Sequence, residues 1–290
     1  MHNVFYFTDV HGCWDLFYAM RAWCYEQDPE CTIVFGGDAC DRGDCGYTIM
    51  KAILEDPQMI YLRGNHEDFF VKSARVIYNN WTPITHKLTR QEALDVIDSM
   101  IINEDDIYLH VANGGKETLV LWLMDGAPMY FVDQIAKLPV TFSYENIDFC
   151  HAGGLYSLFK KVATAEYNGN EPDAYDVNEL IWDRNAIEIG WEKDRVCVYG
   201  HTPSFTLPSA LYGKYKSESE AHPCCYTGTF AEDKWPGKKI AMDTGMVWTG
   251  RGYVLNALTL EATGFYDAMP ASCKMDKAPV TQLLEKYKII

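Results

Sequence analysis

Six short apolar runs, rich in β-branched and aromatic residues, each stop abruptly at polar or glycine residues. They are VFYF before Thr8-Asp9, TIVF before Gly36-Gly37-Asp38, and MIYL before Arg63-Gly64-Asn65-His66. Then come IDFC before His151, VCVY before Gly200-His201, and KKIAM before Asp243-Thr244-Gly245. Near-continuous apolar runs of this length predict buried strands in sheets covered on both faces. Between the early runs lie amphipathic stretches. Residues 15–27 place Leu16, Met20, Trp23 and Cys24 at helical spacing, and residues 44–55 and 66–79 have a similar pattern. The order β-α-β-α-β predicts an α/β fold whose sheet begins largely parallel.

Residues 80–138 are mostly helical by pattern, TRQEALDVIDSM most clearly, and predict a helical cap inserted between the third and fourth strand ends. Residues 203–238 are rich in Pro, Ser and Gly and predict a long loop or flap. The tail GYVLNALTLEATGFYDA predicts an antiparallel hairpin turning near Ala262–Gly264. No internal repeat or low-complexity tract interrupts the chain, so residues 1–290 read as a single domain with insertions.

Composition narrows the function classes. The 290 residues, 48% hydrophobic and 23% charged, suit a soluble globular chain with a sizeable core. No apolar run approaches the roughly 20 residues that span a bilayer. The N-terminal strand has no basic n-region or small-residue cleavage site, so no signal peptide is expected. A net charge of −16 argues against nucleic acid, whose nonspecific binding is driven by counterion release to basic surfaces. It argues equally against an anionic membrane. A phosphorylated substrate stays open, because a few arginines and metal ions can meet it locally. The ten cysteines include no Cys-x-x-Cys pair, and Cys31, Cys150 and Cys197 lie in or beside strand-like runs. Reduced thiols in a cytoplasmic protein are expected. His222, Cys224 and Cys225 in "HPCCY" make a weak metal patch, since adjacent cysteines do not easily chelate one ion.

The strand ends carry the candidate chemistry. In open α/β sheets, ligands bind outside the carboxyl ends of the strands. Asp9 and His11 stand two apart, on one side of extended backbone. Asp38 follows the second run, Asn65 the third, His151 the fourth and His201 the fifth. Core packing does not explain ligand-type residues at five successive strand ends. Carboxylate, amide and imidazole donors without thiolate suit manganese, iron or zinc. Six donors exceed one tetrahedral site, and Asp38 is the natural bridge between two ions roughly 3.5–4 Å apart that would clamp a phosphoryl group. Arg42, in "GGDACDRG", is placed to bind phosphate oxygens, and Arg184, in "LIWDR", is a second candidate. His66 is placed to protonate a leaving oxygen, with Asp41 to orient it and hold it protonated. Each also has a plain structural reading: Arg42 in a surface ion pair, His66 as a helix N-terminal residue, Arg184 paired with Asp183.

"TDVHG", "GGDACDRG" and "RGNHE", in that order and followed by isolated histidines, resemble the phosphoprotein phosphatase branch of the calcineurin-like metallophosphoesterases. "CHAGG", "LIWDR", "YGHTPS" and "MDTG" resemble more closely the bacteriophage-lambda-type protein phosphatase. The resemblance runs from about residue 4 to about residue 260. It implies an α/β fold, a β-sandwich flanked by helices, here with a helical insertion. It implies a first metal held by Asp9, His11 and Asp38 and a second held by Asp38, Asn65, His151 and His201. Arg42 and Arg184 would bind phosphate, and His66 with Asp41 would form the acid pair. The implied reaction is in-line attack of metal-activated hydroxide on phosphoserine or phosphothreonine in a phosphorylated protein or peptide. Thr8 departs from the family's usual Gly, and the segments before His151 and after His201 are longer than in compact members. Asp243 matches a family motif and suggests support of a ligand imidazole.

Three other readings compete. A symmetrical dinucleoside-tetraphosphate hydrolase shares the branch, but more often spells "ARG" and "GNHD" than "DRG" and "GNHE". A nuclease of the superfamily usually carries Gly-His-x-His, whereas Thr202, Pro203 and Ser204 follow His201 here. A catalytically inactive binding scaffold would not need every ligand position filled.

Overall fold

Strand β1 (Val4–Phe7) is buried along its whole length, and its alternation sorts side chains between two cores. Val4 and Tyr6 enter one core with Val34, Phe149, Val198, Ile240 and Leu255. Phe5 and Phe7 enter another with Leu16, Phe17, Met20, Ile33 and Phe35. The computed structural model describes residues 2–81, 87–207, 221–227, 237–266 and 276–279.

Helix α1 (Trp14–Gln27), β2 (Thr32–Phe35), α2 (Gly46–Leu54), β3 (Met59–Tyr61) and α3 (Asn65–Asn80) follow β1. Strands β1, β2 and β3 are parallel, as the β-α-β-α-β order predicts. Four helices of the insertion come next: α4 (Arg90–Met100), α5 (Asp105–Ala112), α6 (Lys116–Met124) and α7 (Met129–Ala136). Their apolar faces, including Ile97, Ile107, Trp122 and Phe131, join the core that covers Phe5 and Phe7. The insertion is thus continuous with the body of the molecule.

The second half supplies β4 (Thr141–Tyr144), β5 (Ile147–Cys150), α8 (Tyr156–Tyr167), α9 (Ala174–Trp182), β6 (Val196–Tyr199), β7 (Cys224–Thr227) and β8 (Lys238–Ala241). A short helix α10 (Met246–Thr249) precedes β9 (Arg251–Asn256), β10 (Glu261–Tyr266) and β11 (Asp276–Pro279). Two mixed sheets result, ordered β11-β10-β9-β1-β2-β3 and β4-β5-β6-β8-β7. The core around Tyr6 and Phe149 lies between them, while Phe159, Val162, Leu180 and Ile181 of α8 and α9 cover the outer face of the second. Helix, sheet, sheet and helix make the expected α/β sandwich. Among the described residues no helix is long and apolar enough to cross a membrane.

Two expectations need correction. The hairpin turns at residues 257–260, not near Ala262–Gly264, which lie inside β10 opposite β9. Gly264 suits its place in the strand, since a Cβ there would lie 2.9 Å from the Tyr253 ring and from the Tyr266 hydroxyl. Residues 203–238 are not wholly loop, since Cys224–Thr227 pairs antiparallel with β8 at the sheet edge. Residues 208–220 and 228–236 of that stretch lie outside the described ones. Among the described residues the nine cysteines form no disulfide. The "HPCCY" patch gathers no metal-binding group among the described residues.

Candidate metal centre

The carboxyl ends of β1, β2, β3, β5 and β6 bring Asp9, His11, Asp38, Asn65, His151 and His201 into one buried cluster. Bending the chain sharply there forces side-chain-bearing residues into left-handed backbone. Asp9 (φ 54°), His11 (44°), Asp38 (58°), Asp41 (71°), Arg42 (64°) and His201 (65°) all have positive φ. Each such residue costs on the order of 1–3 kcal/mol and persists only where its surroundings over-determine it. Gly12 (φ +74°) makes the turn into α1, where a Cβ would lie 2.6 Å from the Gly43 carbonyl carbon.

Each cluster imidazole has one nitrogen on a backbone carbonyl and the other turned inward. His11 Nδ1 lies 2.9 Å from the Cys40 carbonyl, His151 Nδ1 2.8 Å from Gly36 and His201 Nε2 3.2 Å from Trp182. The inward nitrogens meet Asp38 and Asn65. His11 Nε2 is 3.6 Å from Asp38 Oδ2, and His151 Nε2 is 3.3 Å from Asp38 Oδ1. His151 Nε2 and His201 Nδ1 lie 3.0 and 2.8 Å from Asn65 Oδ1. Donor atoms gathered in this way suit a bound cation. Burial, with the nearby His66, lowers His11 to about 3, and burial with His151 holds His201 well below the usual imidazole range. His151 is pushed up to about 10, because Asp38 and Asp9 outweigh the burial that opposes it. The donors fit a metal: backbone carbonyls orient the rings of His11, His151 and His201, and two groups lie close enough to hold an ion, His11 with Asp38 and His66 and Asp38 with His151 and His201.

Asp9 joins from the side. Its carboxylate accepts the His201 N–H at 3.0 Å and the Thr8 hydroxyl at 2.6 Å. Burial raises it to about 7, with His151 pulling it down and Asp38 pushing it up. Thr8, the departure from the family spelling, thus orients Asp9. Thr8→Ala is expected to weaken metal affinity by roughly 10–100-fold, the usual effect of removing a partner that orients a ligand. Titration of the metal-free protein with Mn²⁺ measures it.

Asp41 and His66 pair directly, Nδ1 to Oδ2 at 2.7 Å, and both are buried. Burial opposes protonation of His66, but Asp38 and Asp41 raise it above the ordinary value. Arg42 Nη1 lies 2.5 Å from His11 Nε2, and its Nη2 lies 3.0 Å from His66 Nε2. Its guanidinium packs 4.9 Å from the Trp248 ring centre. Arg184 is held over the second histidine, donating to the His201 carbonyl and the Thr202 hydroxyl at 3.3 Å. Asp183 is not its partner, because that carboxylate accepts the Asn185 and Ala186 N–H groups. Arg184 and Trp248 line a groove of about 640 Å³ with Ile187, Pro203, Phe205 and Leu207. Asp243 accepts the Gly245 N–H at 2.7 Å, so its carboxylate supports a turn where an imidazole partner was expected.

Two supports escaped sequence reasoning. Glu67, inside "RGNHE", accepts the N–H groups of Asp38, Ala39 and Gly64 at 2.8 Å and the Tyr61 hydroxyl at 2.7 Å. It ties the end of β2 to the end of β3. Glu67→Gln keeps one acceptor oxygen for four donors, and each buried donor left unpaired costs about 1–3 kcal/mol. A clear fall in Tm by calorimetry is expected. The second support comes from the insertion, where His110 and Thr118 both bond Asp41. The available signal was a histidine three residues after Ile107, on the buried face of α5, just before Asn113-Gly114-Gly115.

A family model described as calcineurin-like phosphoesterase matches residues 2–226. A search of curated proteins found no match. Among solved structures, the chain is similar to a candidate diadenosine tetraphosphatase at 16% identity and TM-score 0.42, covering 96% of this chain and 93% of the other. It is similar to the cold-active protein-tyrosine phosphatase of a psychrophilic Shewanella at 14% and 0.47, covering 96% and 80%. A Saccharomyces cerevisiae protein serine/threonine phosphatase follows at 12% and 0.42, covering 95% and 79%. With a family match over most of its length, and buried His/Asp groups arranged to hold metal, the chain belongs to the calcineurin-like phosphoesterases and is a metal-dependent phosphoester hydrolase.

Proposed function

We propose that this hydrolase is a phosphomonoesterase acting on phosphoserine and phosphothreonine in a phosphorylated protein or peptide, in the manner of the phage-lambda-type phosphatases. The observation that carries the reading is the Asp41–His66 pair, set 2.7 Å apart beside the Asp38 cluster. A serine or threonine alkoxide is a poor leaving group and needs a proton, which a positioned acid supplies.

Two divalent ions, manganese by preference with iron or zinc as alternatives, would be held by Asp9, His11 and Asp38 and by Asp38, Asn65, His151 and His201. When bound they would polarise the phosphoryl oxygens and supply a water nucleophilic near neutral pH. The chain's own residues do the rest. Arg42 sits at the mouth and turns its amines from His11 and His66 to phosphate oxygens. Arg184 meets the phosphate from the other side, held by the His201 carbonyl and the Thr202 hydroxyl. Freed of Arg42, His66 Nε2 faces the leaving oxygen, while Asp41 keeps Nδ1 occupied and the ring aligned.

The groove beside Arg184 is largely apolar and aromatic, which suits peptide side chains flanking one phosphate. Phe205 and Trp248 also offer faces to a nucleobase, and so favour a dinucleoside-tetraphosphate hydrolase as the second reading. Turnover of a phosphoserine peptide and of diadenosine tetraphosphate, measured side by side with Mn²⁺, decides between them. Higher kcat/KM for the peptide is expected; preference for the dinucleotide overturns the proposal.

A further inference from the structure

We propose that His110 is a positioning residue for the Asp41–His66 pair, so that the helical insertion is built into the proton-transfer device. This deepens the reading of His66 as the proton donor and rests on it. His110 lies on α5, fully buried, with Nε2 3.0 Å from each oxygen of Asp41. Its Nδ1 has no hydrogen-bond partner among the described residues. The ring proton therefore belongs on Nε2, where a carboxylate accepts it.

Asp41 is held on every side. Thr118, from α6, donates its hydroxyl to Oδ1 at 2.8 Å and accepts the Asp41 N–H at 3.0 Å. His66 takes Oδ2. The Gly114 carbonyl, in the turn between α5 and α6, accepts the Arg42 N–H at 2.9 Å. Thus the left-handed Asp41 and Arg42 are clamped to the insertion. Phe69 lies between the two imidazoles, stacked on His110 at 6.0 Å and edge-on to His66 at 5.9 Å. A Cβ at Gly115 would overlap the His110 ring, so glycine there is what admits the imidazole.

A carboxylate bonded to His66 alone can turn about its last torsion, and the His66 ring turns with it. Donors from His110 and Thr118 on the far side leave one orientation, with Oδ2 facing His66 Nδ1. His66 Nε2 is then aimed into the site before substrate arrives.

The test compares His110→Leu, which removes the donor at similar volume, with His110→Gln, which returns an N–H near the Nε2 position. His110→Leu should lower kcat on a phosphoserine peptide by about 10–100-fold, part of what a positioned acid contributes. KM and Mn²⁺ content should stay unchanged. The loss should nearly vanish on 2,4-dinitrophenyl phosphate, whose leaving group needs no acid, and His110→Gln should restore most of it. In the metal-free protein, the hydrogen-bonded Nδ1–H resonance of His66 should be lost in His110→Leu and kept in His110→Gln. If His110→Leu fails to fold, Gly115→Ala, which displaces the ring but keeps the imidazole, should give the same pattern. An equal loss on both substrates, or none on either, overturns the proposal. His66→Asn run alongside separates the two claims. If it alone shows the steep leaving-group dependence, the acid stands and the role of His110 falls; if it shows none, both fall.

Discussion

Asp38→Asn is expected to deplete the centre of metal as a whole, not of one ion, and to cut turnover steeply. Asp38 touches both halves of the cluster: Oδ2 is 3.6 Å from His11 Nε2, and Oδ1 is 3.3 Å from His151 Nε2. Among the described residues, Asp38 is the member common to both candidate metal-binding groups. Its charge is held by those imidazoles: burial opposes ionisation, but His151 and His66 keep the carboxyl well below the usual range. An amide at this position offers one neutral oxygen where two charged ones stood. Metal-assisted stabilisation of phosphoryl charge contributes several kcal/mol, so kcat/KM should fall by roughly 10²–10⁴ or more. Metal content by mass spectrometry after gel filtration is the direct readout, and the fall should reach both ions together. Retention of one full equivalent would mean that Asp38 serves a single ion, and unchanged content would remove it from the ligand set.

The cluster was legible in the sequence because strand ends are legible. Apolar runs that stop at Asp9, Asp38, Asn65, His151 and His201 announce both the sheet and its active edge, since the geometry that ends a parallel strand also presents its next residues to ligand. The first three helices and the parallel start followed from the same pattern. What stayed hidden depends on contacts between distant segments. Glu67 stands beside His66 in sequence, yet its task is to collect N–H groups from Asp38 and Ala39, 29 and 28 residues earlier. Thr118 lies 77 residues from the Asp41 it bonds. Helical periodicity puts His110 on the buried face of α5 beside Ile107, but it does not say that the ring meets Asp41, 69 residues away. The hairpin turn was misplaced for a related reason: Gly264 reads as a turn residue locally, whereas in the strand a Cβ there would crowd the Tyr253 ring and the Tyr266 hydroxyl. Strand β7 was hidden inside a polar stretch, because an edge strand gains its order from β8 and not from its own composition.

His66→Asn is expected to lower kcat by about 10²–10⁴ on phosphoserine and phosphothreonine substrates, the range for loss of a positioned general acid. Asparagine can still fill much of the buried volume and bond Asp41, so folding should survive. The loss should depend on the leaving group. A serine alkoxide departs with difficulty unless protonated, whereas a nitrophenolate leaves as the anion, so 4-nitrophenyl phosphate should lose far less. The pH profile gives a second readout. Asp38 and Asp41 raise His66 above its ordinary value against the pull of burial. A raised pKa keeps more of the acid protonated than an ordinary imidazole would be, so wild-type kcat should decline as pH rises on the alkaline side. That alkaline limb should disappear in His66→Asn with the poor leaving groups. Two alternatives are distinguishable from this pattern. If His66 instead completes the first metal group, with Nε2 3.9 Å from Asp38 Oδ2, the variant should lose metal and fall equally on every substrate. If Arg42 alone stabilises the leaving oxygen, His66→Asn should leave the leaving-group dependence of wild type unchanged. A steep dependence at unchanged metal content therefore assigns the proton to His66.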